Sequence, residues 1–332
     1  MAGLLGVSAQ ITPTVEDISL QGAAITQTYV PGTADIIETN ISNVSLNLFR
    51  TYQNASYVAA GIGVRNTGRG TISLRLPHNT DLIDAWLYWK ILNSTAGIHD
   101  NEITVNGIRV TGTQIGSGPS PCWAGNGSTY RANINSVVQS TDDGRSSGFT
   151  IGGMSTLITD GRSPWDAFSL PAAEDVGLII VFNNTQTQNF TDRVIIFDGY
   201  SEHNGGMTAF QVPEGTNMYS SIIGDGQVIG VQPYIKSVSF RDRPGVVPIN
   251  LQNVTLNGVA PSITSRSTYQ GSLSDVDTFI LPSTALPGAT LIWNLANDCV
   301  AYDALVFQGQ VNTTNTTQPN VTSMSLTLGT IP

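Results

Sequence analysis

Short runs of Val, Ile, Thr and aromatic residues, each cut off by Gly, Pro or Asn, confine this chain to β-structure. Helical periodicity is almost absent from its 332 residues. Strands are expected near 45–52, 57–64, 70–76, 83–92, 103–105, 108–114, 176–182, 193–197, 231–240, 249–256, 276–281, 289–293, 304–311 and 321–328. In Ile103-Thr104-Val105-Asn106-Gly107-Ile108-Arg109-Val110, the Asn-Gly pair supplies the two positive-φ residues of a type I′ hairpin. A single short helix is expected at 131–139. The pattern predicts an all-β chain, an antiparallel β-sandwich of jelly-roll character in one or two lobes.

Such a core needs apolar residues, and 40% of the chain is hydrophobic. Only 11% is charged, against about 25% in ordinary soluble domains, so neutral polar side chains must solvate the surface. The formal net charge is -10, and lysine occurs only as Lys90 and Lys236. No basic field is present to hold nucleic acid or anionic lipid, and those partners are excluded.

Asparagine usage points outward. Asn40, Asn43, Asn54, Asn93, Asn126, Asn183, Asn189, Asn253, Asn312, Asn315 and Asn320 each open an Asn-x-Ser/Thr sequon, 11 of the 25 asparagines. Chance in a chain this rich in Ser and Thr gives about five. The excess reads as N-glycan acceptors on an exported chain, at an archaeal or eukaryotic cell surface. The two cysteines, Cys122 and Cys299, form either a disulfide or two buried thiols, and the signs of export favour the disulfide. A link between them would stabilise the fold by about 5 kcal/mol on the chain-entropy model.

Three segments are expected: an extended arm at 1–40, a sandwich body at 41–311 and a glycosylated C-terminal segment with a final strand at 312–332. Met1, Gly3, Leu5, Val7, Ala9 and Ile11 share one face of an extended strand, with Ser8, Gln10, Thr12 and Thr14 opposite, before Pro13 breaks it. The opening residues lack a basic stretch, so an export signal is expected upstream, or as a remnant around Val7-Ser8-Ala9. No apolar run reaches the roughly 18 residues of a transmembrane helix.

Catalytic signals are weak. Gly144-Arg145-Ser146-Ser147-Gly148 matches G-x-S-x-G, but a polar turn precedes it and no helix is expected after it, so the serine is not read as a nucleophile. His78, His99 and His203 lack ligand partners at short spacing, which argues against zinc or triad roles. Asp142 with Asp143, Asp275 with Asp277, and Asp298 with Asp303 are turn-forming acids that lack a full Ca²⁺ ligand pattern. No enzyme activity and no cofactor is expected, with Ca²⁺ the sole ion considered. Trp86, Trp89, Trp123, Trp165 and Trp293 raise a sugar-stacking alternative, although at least one face of Ala85 to Lys90 must be core.

The blocks Gly61 to Gly68, Ala85 to Trp89, Ile103 to Gly107, Gly116 to Trp123, Tyr130 to Asn133, Gly177 to Phe182 and Val194 to Gly199 resemble, in order and spacing, a β-sandwich module of secreted and cell-surface bacterial and archaeal proteins. The resemblance spans about residues 57 to 230. It implies an extracellular structural or adhesive module with no catalytic residues to carry over. The chain lacks the long repeat arrays and visible anchor of the larger surface proteins. It is similar in character to archaeal extracellular filament subunits, which are glycosylated β-sandwiches joined by an N-terminal strand. The expectation is therefore a self-assembling, head-to-tail filament, pilus or matrix subunit at the cell surface. Its first 11 residues would reach about 36 Å into a neighbour. Folding of Met1 to Val15 onto its own body, and a monomeric carbohydrate-binding or adhesin domain, are the alternatives.

Overall fold

Every residue from Ala85 to Asn93 is buried. A sheet with one solvated face cannot achieve this, because alternate side chains of a strand point to opposite faces. The strand must be covered on both sides. The computed structural model describes residues 26–28, 37–76, 81–93, 100–139, 146–162, 169–183, 191–211, 219–228, 254–256, 262–266, 274–280 and 290–311.

In chain order these contain β1 (Thr26–Thr28), β2 (Ile37–Asn43), β3 (Asn47–Gln53), β4 (Ala55–Gly63), β5 (Gly70–Arg75) and β6 (Leu82–Asn93). Next come β7 (Glu102–Val105), β8 (Ile108–Thr111), β9 (Thr113–Pro119), β10 (Asn126–Asn133), helix α1 (Asn135–Gln139), β11 (Ser146–Gly152) and β12 (Ala172–Asn183). The remainder are β13 (Thr191–Gln211), β14 (Tyr219–Val228), β15 (Val254–Leu256), β16 (Ser262–Arg266), β17 (Ser274–Ile280) and β18 (Thr290–Val311). The chain is all-β, with antiparallel sheets packed face to face.

The middle sheet runs β4-β12-β6-β10-β9. On one face, Ala60, Ile62, Leu87, Trp89, Ile91, Leu178 and Ile180 meet Ile72, Leu74, Ile103, Val105, Phe149 and Ile151. The latter belong to the four-stranded sheet β5-β11-β7-β8. On the other face, Tyr57, Trp86, Tyr88, Ile179 and Val181 meet Val194, Ile196, Val276, Ala304 and Val306. Those come from the nine-stranded sheet β1-β2-β13-β18-β14-β17-β16, to which β3 and β15 attach. The sandwich is thus doubled into three layers. Each aliphatic side chain so buried contributes about 1.5–3 kcal/mol.

The long antiparallel pair of β13 and β18, in register from Thr191↔Val311 to Gln211↔Thr290, is the spine of the third sheet. Its near half also pairs with β3 and β14, and its far half with β15 and, in parallel, with β2. Phe197 and Phe210, thirteen positions apart on β13, would lie about 40 Å apart on a straight strand. Their ring centroids are 5.2 Å apart, and Phe210 stacks on Phe307 at 5.5 Å. The ribbon therefore folds back over itself. Its register breaks between Asp198 and Ser201, and again between Asn204 and Met207, where Gly205-Gly206 lies, provide the bend.

The Asn106-Gly107 hairpin forms as its turn chemistry requires, with φ of 51° and 76° and Val105 opposite Ile108. The expected helix is shorter. Arg131 to Asn133 pair with β6 as the end of β10, and the Asn133 side chain accepts from the Asn135 N–H at 3.0 Å, so helix begins only at Asn135. Strands expected separately at 289–293 and 304–311 are one strand, β18, because the polar stretch between them is paired to β13. The expected strands at 231–240 and 321–328, the arm face from Met1 to Ile11 and the segment 312–332 lie outside the described residues.

Candidate functional site

Lys90 of β6 and Thr129 of β10 stand directly opposite each other in the middle sheet, facing the spine. Asp303 of β18 meets them from the third sheet. The pairing register steps past Asp303 on both sides, from Ala304 to Tyr302 against β13 and again against β14. Such irregularities re-aim a side chain. Lys90 Nζ donates to Asp303 Oδ1 at 3.0 Å and to the carbonyl of Ala301 at 3.0 Å. Thr129 Oγ1 donates to the same Asp303 oxygen at 2.6 Å. Both charged side chains are 0% exposed.

A second polar group bridges the same two sheets. Asp198 of β13 accepts from the Tyr88 hydroxyl at 3.0 Å and from Arg131 Nη1 at 2.5 Å. Burial pushes the Asp198 carboxyl above its usual range, against the pull of Arg131, and Asp303 adds to the rise. Burial likewise holds the Tyr88 phenol well above its ordinary value. The Arg131 guanidinium lies 3.3 Å from the centroid of the Phe49 ring, and Phe49 meets Trp86 edge-on at 4.7 Å.

Between these groups Tyr200 slots against the glycines of β9 and β10. A Cβ on Gly116 would sit 2.7 Å from Tyr200, and one on Gly127 would sit 2.7 Å from its ring. Its hydroxyl donates to the Pro119 carbonyl at 2.9 Å, and its ring centroid is 5.6 Å from Lys90 Nζ. Cys122, in the loop between β9 and β10, is disulfide-bonded to Cys299 of β18, with Cα atoms 5.5 Å apart. The bond closes a separation of 177 residues and ties the middle sheet to the spine beside Lys90.

Beyond β4, Arg65 forms a bidentate pair with Glu174 of β12, Nε donating to Oε1 at 2.8 Å and Nη2 to Oε2. Its guanidinium lies 3.9 Å over the Trp123 ring. The signal for these braces was a charge placed inside an apolar run, as in Trp86-Leu87-Tyr88-Trp89-Lys90-Ile91-Leu92. Composition alone does not reveal the partner, because Lys90 and Asp303 are brought together only by the tertiary fold.

Of the Asn-x-Ser/Thr asparagines, Asn54 stands in the exposed turn between β3 and β4 at φ 54°. Asn126 and Asn183 are half-buried at strand ends, and Asn40 and Asn43 lie on β2. Asn93 differs from these in its surroundings at the end of β6. It is 2% exposed and its amide nitrogen, the atom that would carry a glycan, donates to Asp100 Oδ2 at 2.5 Å. Asn189, Asn253, Asn312, Asn315 and Asn320 lie outside the described residues.

Ser146 opens strand β11 opposite Arg75 and is followed by strand, not by the helix of a nucleophile elbow. His203 is buried, and its Nε2 lies 2.9 Å from Ser201 Oγ. Among the described residues no group of three or more His, Cys, Asp or Glu is arranged to hold a metal ion. Asp303, one of the acids weighed for Ca²⁺, is engaged by Lys90 and Thr129. Trp86, Tyr88 and Trp89 are buried on both faces of β6, so they form no exposed aromatic row. No helix among the described residues is long and apolar enough to cross a membrane.

No family model matches the sequence, and no curated protein matches it. Among solved structures the chain is similar to the crystal structure of PBCV-1 VP54 fitted into a cryo-EM reconstruction of the virophage Sputnik. The identity is 9% and the TM-score 0.20, over 79% of this chain and 94% of that chain.

Proposed function

We propose that this chain is a structural subunit of an extracellular, glycosylated filament or surface matrix, in which the N-terminal strand of one copy completes a sheet of the next. The observation that supports this most directly is how its buried charges are used. Lys90 with Asp303, Arg131 with Asp198, and the Cys122–Cys299 bond all join the middle sheet to the spine. This construction resists separation of the layers under load.

An acceptor edge is also at hand. The seven residues of β9, Thr113-Gln114-Ile115-Gly116-Ser117-Gly118-Pro119, carry no charge and pair only with β10 among the described strands. An uncharged open edge is the kind that accepts an added strand. Met1, Gly3, Leu5, Val7, Ala9 and Ile11 alternate as such a strand would. Head-to-tail addition of this type propagates without closing. Asn54, exposed in its turn, offers a glycan site on the outside of the polymer.

Deletion of residues 1–15 tests the reading. The truncated protein is expected to keep its β-sheet circular dichroism and melting temperature but to give no filaments by electron microscopy. Filaments from the truncated protein would remove the arm from the mechanism.

A further inference from the structure

We infer that Lys90 and Asp303 are the two ends of an intramolecular amide cross-link between the middle sheet and the spine. The inference does not depend on the subunit reading above. Its basis is the placement of one primary amine against one carboxyl group in a dry, fixed setting. Nζ and Oδ1 are 3.0 Å apart, both side chains are 0% exposed, and the two strands that carry them belong to different sheets.

Burial disfavours the charged forms of both groups. Proton transfer across the contact yields an amine and a carboxylic acid, the uncharged pair that amide formation requires. The Nζ lone pair then attacks Asp303 Cγ. The acid proton received from Nζ sits on Oδ1, and Thr129 Oγ1, donating to Oδ1 at 2.6 Å, is placed to polarise that oxygen for departure. Negative charge develops on Oδ2 during attack, the Cγ–Oδ1 bond breaks as the Cγ–Oδ2 carbonyl re-forms, and Oδ1 leaves as water with the acid proton and one proton from the nitrogen. The net change is amine plus carboxylic acid to amide plus water, with no oxidant, reductant or co-reactant. Fixed proximity of this kind substitutes for the activation that an intermolecular condensation needs. The backbone supports the geometry, since Lys90 is held by the Ala301 carbonyl at 3.0 Å and Asp303 projects from an irregularity on both sides of β18. Thr129 is a positioning and polarising residue in this step.

The test is peptide mapping of the full-length purified chain after reduction, denaturation and trypsin digestion. A cross-linked chain is expected to give a branched species joining the segment between Arg75 and Arg109, uncut at Lys90, to the segment after Arg266. Its mass should be one water below the sum of its parts, and fragment ions should place the branch at Lys90 and Asp303. Lys90→Arg and Asp303→Ala are each expected to abolish it. Thr129→Val is expected to slow its appearance after refolding several-fold while leaving both reacting groups in place. Wild-type protein cleaved normally after Lys90, or one that has lost water without a branched peptide, would overturn the inference even if neither variant folds.

Discussion

Tyr200 rests on Gly127 with no space for a methyl group between them, since a Cβ there would lie 2.7 Å from the ring. The glycine is the reason the spine approaches the middle sheet so closely at this end. Gly127→Ala is expected to cost about 1–3 kcal/mol through overpacking. Urea denaturation would measure it, and adding Tyr200→Leu to the same chain should recover most of the loss.

Arg65 and Glu174 are both 0% exposed, so removal of either leaves a charge stranded in the core. Arg65→Met alone or Glu174→Gln alone is expected to lose about 3–5 kcal/mol. The double replacement by Met at both positions should be far milder, because no uncompensated charge remains. A double-mutant cycle in denaturant is the appropriate measurement.

His203 gives the fold an acid limit. Burial lowers its pKa from 6.5 to about 4, and Ser201 Oγ, which accepts the Ser45 N–H at 2.9 Å, is placed to donate to the neutral ring. The folded state thus binds fewer protons here than the unfolded state between these two values. Stability is fully present above about pH 6.5, falls as pH drops toward about 4, and is flat in this contribution below that. The loss amounts to about 3 kcal/mol. The melting temperature of wild type should fall relative to that of His203→Gln as pH drops across this range.

Reduction of Cys122–Cys299 should lower stability by about 2–5 kcal/mol. A parallel loss in Cys122→Ser, read by thermal melting without reductant, would assign the effect to this bond. An unchanged melting temperature in both would show the bridge to be energetically idle.

Glycopeptide mass spectrometry of native material is expected to find glycan on Asn54 and bare Asn93, which is buried and bonded to Asp100. A glycan on Asn93 would require the strand end at β6 to open.

Local signals in the chain were readable where turn chemistry or alternation decides the outcome. Asn106-Gly107 dictates its hairpin because few residues other than Asn and Gly accept positive φ at both turn positions. The third layer was less legible. Trp86 and Tyr88 on one face and Leu87 and Trp89 on the other signal burial, yet a sequence does not show which strands will cover each face. The unity of β18 was hidden for a related reason, since Asn294 to Asp298 look like a turn until β13 supplies their partners. Asn93 satisfies the sequon rule, but its burial depends on Asp100 and the packing of β6. The Lys90–Asp303 pair is legible only as an anomaly, a lone cation in an apolar strand, because its partner lies far downstream.

The position of β18 has a consequence for how the chain is made. This strand, the last one described, fills the middle of its sheet between β13 and β14 and brings Asp303 and Cys299 to their partners. During synthesis, both neighbours wait with bare hydrogen-bonding edges, and Val194 and Ile196 lack the companions that complete their core. Such distant pairing is slow, and unfinished intermediates with open edges aggregate readily. The nascent molecule is therefore most vulnerable just before β18 emerges, and escort by chaperones would matter most at that moment.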